Sequence, residues 1–166
     1  MFQVNDYVVY GNNGVCRILE IGTPEIRGVE NSKIYYTLQP VYSRGSIIYI
    51  PLDNEKPIVR GVITKEEALR LIQDVPNIEI IEGANDKFRE MKYKEAMKKY
   101  DCREWIRIIK TFYQNNRHRL TEGKKISSID MRYLHDAQEY LYGELSISLG
   151  IPKEEMEDFI LKNLAL

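Results

Sequence analysis

The sequence predicts an α+β protein in which a small N-terminal β-barrel is followed by a compact C-terminal α-helical bundle, and three observations predict it. Up to about residue 60, β-branched and aromatic runs alternate with turn clusters. Beyond it, helix-capping patterns precede apolar residues at helical spacing. The change of pattern places the expected division at 1–62 and 63–166, and with no internal repeat, low-complexity tract or flexible linker between them the halves are expected to touch. With 166 residues and 43% hydrophobic content, the chain can bury one good core or two small ones.

The β half opens with Tyr7 to Tyr10 and Val15 to Ile21, joined by Gly11-Asn-Asn-Gly14. Asn12, Asn13 and Gly14 can take the positive φ angles of a tight hairpin. Lys33 to Gln39 and Ser46 to Ile50 read as two further strands, the last stopped by Pro51.

In the helical half, Thr64-Lys-Glu-Glu67 is a capping box leading into Ala68, Leu69, Leu71 and Ile72, and a break containing Pro76 ends that helix. Asn85 or Asp86 can cap a second helix to about Tyr100, bearing Phe88, Met91, Ala96 and Met97 among lysines. Asp101-Cys-Arg-Glu104 repeats the capping pattern, and Trp105, Ile108, Ile109 and Phe112 form one apolar stripe on a helix expected to end near Arg119. Ser127-Ser-Ile-Asp130 starts a long helix through Leu134, Ala137, Leu141 and Leu145, closed by Gly150. Pro152 suits the first turn of a last short helix with Met156, Phe159 and Ile160 facing inward.

Charge is unevenly distributed. Residues 1–86 hold 8 Lys/Arg against 12 Asp/Glu, residues 87–125 hold 13 against 5, and residues 126–166 hold 3 against 8. A basic block of that kind fits a phosphate-binding surface or a solvated helix face. No stretch of about 18 apolar residues could cross a bilayer, and the start lacks the marks of a signal peptide, so a cytoplasmic location is expected. Cys16 and Cys102 have no CxxC spacing and only two histidines accompany them, so neither a disulfide framework nor a zinc site is expected.

Three segments carry a family resemblance: the hairpin with Gly11 and Gly14; Glu25-Ile-Arg-Gly28 with Ile48-Tyr-Ile-Pro-Leu-Asp-Asn54; and Leu141-Tyr-Gly-Glu-Leu145. In that order they resemble the CarD/CdnL family of bacterial transcription regulators, whose Tudor/SH3-like N-terminal module is shared with transcription-repair coupling factors. The resemblance implies docking on the RNA polymerase β subunit through Ile26, Arg27 and Gly28, with Tyr49 where many relatives place an arginine. A tyrosine replaces bidentate carboxylate recognition with a hydroxyl and a ring face. Arg27 can equally be an ordinary loop cation.

The resemblance also implies promoter DNA as a partner of the helical half. The family's wedge tryptophan is missing: its place falls at or beside Asp86, whereas Trp105 sits in an apolar stripe and reads as core. Phe88 is the nearest replacement wedge and is equally placed to pack in the bundle. Lys87, Phe88, Arg89, Lys92 and Lys94 form one candidate DNA patch, and Arg117, Arg119, Lys124 and Lys125 a second.

Catalytic raw material is thin. Gly11-Asn-Asn-Gly14 has no phosphate-loop signature, and neither His118 nor His135 has a nucleophile at a meaningful spacing. The expectation is a non-enzymatic regulator of open-complex stability with no cofactor, no metal and no small-molecule ligand. The rival is an adaptor that binds polymerase or another protein without touching DNA.

Overall fold

The computed structural model describes residues 2–28, 32–43, 45–53, 59–83 and 85–163. The chain divides into two compact units, Met1–Val62 and Ile63–Leu166.

The first unit is an antiparallel sheet of β1 (Tyr7–Tyr10), β2 (Val15–Gly22), β3 (Tyr35–Pro40), β4 (Ile48–Pro51) and β5 (Val59–Gly61), ordered β4-β3-β2-β1-β5. The expected barrel is corrected: the sheet is open. β4 pairs with β3 and β5 with β1, at opposite edges, and among the described residues the two edges do not meet. Closure needs edge strands long enough to tilt onto each other. Here one edge has four residues and ends at Pro51, and the other has three.

Alternation sets the core. Val8, Cys16, Ile18, Leu38 and Ile50 pack on one face, with Phe2, Tyr10, Ile21, Tyr36, Ile48 and Val59 closing around them. Between Ile18 and Glu20 the β2–β3 register shifts by one residue, a bulge that bends the longest strand. The hairpin differs in detail from expectation. Gly11 and Gly14 take the positive φ values, 46° and 64°, while Asn12 and Asn13 complete a short 3-10 turn between them. Glycine carries that conformation at lower cost than asparagine.

The second unit has five helices among the described residues: α1 (Lys65–Gln73), α2 (Asp86–Met97), α3 (Cys102–Glu122), α4 (Ser128–Leu149) and α5 (Met156–Asn163). α1 starts with the full capping box: the Thr64 hydroxyl accepts from Glu67 N at 3.1 Å and the Glu67 carboxylate accepts from Thr64 N at 3.1 Å. Thr64→Ala removes half of it and should cost about 1 kcal/mol in urea unfolding. Asn85 caps α2 by accepting from Phe88 N at 2.8 Å. Asp101 caps α3, but Glu104 does not reach back; it meets Lys99 at 3.3 Å instead. α3 runs three residues past its expected end, to the left-handed cap at Gly123, and Gly150 closes α4 in the same conformation.

α4 is the central helix, packing against α1, α2, α3 and α5. Trp105, Ile106, Ile108, Ile109 and Phe112 are buried on α3, its most extensive partner, as are Leu134, Ala137, Leu141 and Leu145 of α4 and Met156 and Ile160 of α5. On α2, Tyr93 and Ala96 are buried, whereas Phe88 and Met91 are 39% and 49% exposed.

Candidate functional site

In the β unit, Ile26, Arg27 and Gly28 lie on an exposed loop after β2. Thr23 closes its base by donating to Lys33 O at 2.7 Å. Gly28 has φ +90° with open space where a Cβ would stand, so the backbone turn, not crowding, favours glycine there. Tyr49 is half-buried on the edge strand β4, opposite Thr37 of β3. The four residues therefore occupy a loop and a sheet edge of one unit. Asn54, the last residue of the motif that includes Tyr49, lies outside the described residues.

Pairing within this unit also accounts for Cys16. Burial pushes its thiol up to about 11, which leaves the nucleophilic thiolate scarce near neutral pH. Cys102 is buried as well.

In the helical unit, the first basic patch is largely occupied. Arg89 is only 11% exposed in its side chain and makes a two-pronged contact with Asp130, Nη2 to Oδ2 at 2.9 Å and Nε to Oδ1 at 3.2 Å. It also pairs with Asp86 one turn earlier. Asp130 is 3% exposed and accepts a further bond from the Tyr93 hydroxyl at 2.8 Å. Burial and the neighbouring Asp130 carboxylate hold the Tyr93 hydroxyl above the ordinary tyrosine range, so it remains a donor. Arg89 thus ties α2 to α4 and is not exposed to meet a phosphate. Sequence spacing carries no signal for this, because the partners are 41 residues apart.

Other α2 cations are partly neutralised. Lys94 meets Glu90 at 3.6 Å, and Lys92 meets Glu95 at 3.9 Å while lying 5.5 Å from the Phe88 ring centre. Lys87 has no ion pair among the described residues. Phe88 is exposed and backed by Gly83, where an added Cβ would come within 2.9 Å of its ring. Trp105 is 1% exposed and stacks on Tyr140 at 5.6 Å between ring centres, a core position.

The second patch is less compensated. Lys124 meets Glu122 at 2.8 Å, but Arg117, Arg119 and Lys125 are exposed and have no acidic partner among the described residues. All three lie within nine residues of one another, along the last turns of α3 and the loop leading to α4. The basic block is also depleted from within: Lys110 is 6% exposed and donates only to backbone carbonyls.

Among the described residues no helix is long and apolar enough to cross a membrane, and no group of three or more His, Cys, Asp or Glu is placed to hold a metal ion.

A family model described as the CarD-like/TRCF RID domain matches residues 2–63, covering the β unit and ending where the helical unit begins. No curated protein matches the chain. The β unit, with its glycine-bounded hairpin and its edge strand at Tyr49, is therefore similar to the CarD-like/TRCF RID domain over residues 2–63.

Proposed function

We propose that this chain is a CarD-like, non-enzymatic transcription regulator that docks on the RNA polymerase β subunit through its β unit and contacts promoter DNA through its helical unit, altering open-complex stability. The family match over residues 2–63 carries the reading, since this domain is known for interacting with RNA polymerase β. Ile26, Arg27, Gly28 and Tyr49 are the docking residues in this reading. Among the described residues β4 is paired on one side only, which favours strand addition, in which main-chain bonds give affinity and side chains give selectivity.

For DNA, the balance of charges favours Arg117, Arg119 and Lys125 over α2, because cations already held by carboxylates gain less from a phosphate. Lys87 and Lys124 add to the exposed cations, while Phe88 is an exposed aromatic side chain available to wedge a base step. No cofactor enters this mechanism. A protein that binds the open complex more tightly than the closed one stabilises opening by its differential affinity, about 1.4 kcal/mol per tenfold.

The test is salt-dependent binding to a forked promoter fragment with and without polymerase. Arg27→Glu is expected to weaken capture by polymerase at least tenfold and to leave binding to DNA alone unchanged. Arg117→Glu with Arg119→Glu should leave capture intact and flatten the log–log salt slope by about 2, one per lost phosphate contact. Absence of DNA protection in the ternary complex would overturn the DNA half. That outcome would favour the adaptor reading, which draws its support from the burial of Trp105 and the internal commitment of Arg89.

A further inference from the structure

A cavity of about 460 Å³ lies wholly within the helical unit, between the 80–83 segment, α3 and the start of α4. That volume is in the range of small-molecule sites, roughly 300–1,000 Å³. Its floor is the Arg89–Asp130 pair, whose hydrogen bonds are already made internally. Its walls are different. Glu82, Asn115 and Arg119 line it with exposed side chains, and among the described residues none of the three side chains has a hydrogen bond or ion pair. Ile80 adds an apolar wall.

Glu82 and Arg119 therefore border one cavity with opposite charges and do not meet. Asn115 and Arg119 are four residues apart on α3, one turn, and so share a face. A carboxylate only accepts hydrogen bonds, and a guanidinium only donates them. A planar ligand that engages both charged groups in two-pronged fashion presents a pair of donors at one edge and a pair of acceptors at another. Among nucleobases guanine meets this demand: N1–H and the N2 amino group donate, and O6 with N7 accept, the pair for which arginine is the commonest partner. Adenine lacks adjacent donors on its pairing edge, cytosine has one donor group, and thymine or uracil has one ring N–H.

We propose that this cavity is a guanine site, with Glu82 accepting from N1–H and N2, Arg119 donating to O6 and N7, and Ile80 against the ring. The base can come from a free guanine nucleotide or from an unpaired guanine in single-stranded nucleic acid. The site goes beyond the polymerase- and promoter-binding reading, departs from the expectation of no small-molecule ligand, and does not depend on either.

The full-length chain is titrated calorimetrically with GMP, IMP and AMP, which carry the same phosphate and differ only in the base. In parallel, a single-stranded oligothymidine bearing one central guanine is compared with the same strand bearing hypoxanthine. Expected is a preference for guanine over hypoxanthine of about tenfold in at least one format, with AMP weaker still. Selectivity in the nucleotide series alone identifies a free nucleotide as the source, and selectivity in the oligonucleotide identifies nucleic acid. Glu82→Gln should abolish the preference in whichever format shows it.

Glu82 is exposed and its side chain makes no internal bond among the described residues, so this substitution does not threaten the fold. It also removes a negative charge beside the basic patch, so a purely electrostatic surface would bind every probe more tightly after the change. Equal binding of all three nucleotides and both oligonucleotides, or a guanine preference that survives Glu82→Gln, would overturn the site. Neither result bears on polymerase capture.

Discussion

Asp130→Ala is expected to lower the unfolding free energy by about 3–5 kcal/mol, the largest effect of any single polar substitution in the helical unit. Asp130 is buried and receives three hydrogen bonds, two from Arg89 and one from Tyr93. Truncation leaves the Tyr93 hydroxyl without its acceptor in a buried position. It also leaves Arg89 with a long hydrogen bond to Gly83 O and with Asp86 as its one carboxylate among the described residues, an exposed partner in a region where solvent weakens the attraction. Urea unfolding followed by far-ultraviolet circular dichroism should show a lower midpoint with an unchanged slope.

Asp130→Asn should fall between, since an amide oxygen can still accept from Tyr93 while the charge opposite Arg89 is gone. The double change Arg89→Met with Asp130→Leu should recover much of the loss, because an apolar pair of similar volume avoids the uncompensated charge. A loss below 1 kcal/mol for Asp130→Ala would mean that water reaches Arg89 and Tyr93 and replaces the carboxylate. In that case the tie between α2 and α4 would be incidental.

The same network marks the boundary of what was legible in the chain. Capping and periodicity are local, so Thr64, Asn85, Gly150 and the inward stripe of α3 could be read directly, and Trp105 was correctly placed in the core by its spacing to Ile108, Ile109 and Phe112. Orientation of α2 was not local. The sequence left Phe88 open between an exposed wedge and a packed side chain, and the buried face is set by Arg89, Tyr93 and Ala96, because Asp130 on another helix compensates the arginine.

The open sheet escaped for a similar reason. β5 has only three residues, Val59–Gly61, too few to show alternation, and its strand character comes from pairing with β1. As for the candidate site, the residues of the docking loop were named from resemblance, whereas the division of the basic block into paired, buried and free cations depends on neighbours that sequence order does not reveal. Glu82, Asn115 and Arg119 carried no shared signal: they are brought to one cavity only by the packing of the 80–83 segment beside α3.

Lys110→Met should cost about 2–4 kcal/mol, although it keeps nearly the whole aliphatic stem. The Lys110 ammonium donates to Val75 O at 2.9 Å, Pro76 O at 3.1 Å and Ile78 O at 2.7 Å, so each of its three protons has an acceptor. These carbonyls belong to the tight turn after α1, which cannot satisfy all of them itself. Methionine preserves the packing and removes the ammonium; Val75 O keeps its bond from Ile78 N, whereas Pro76 O and Ile78 O lose their donor, at about 1–3 kcal/mol each before relaxation and water entry reduce the total. Lys110→Arg should recover little, because a planar fork does not match three carbonyls converging on one point.

The loss is expected to show first in hydrogen exchange of the 75–81 segment, well below the urea midpoint. Ile81 N is tied separately to the Thr111 hydroxyl at 2.8 Å, so the segment should loosen at its start before it detaches at its end. Lys110 therefore positions the wall that carries Ile80 and Glu82. In Lys110→Met at a temperature where the chain remains folded, guanine preference should fall along with protection of this segment. Full protection and unfolding within 1 kcal/mol of the parent would show that the turn is held by its own backbone, and that the lysine contributes only its stem.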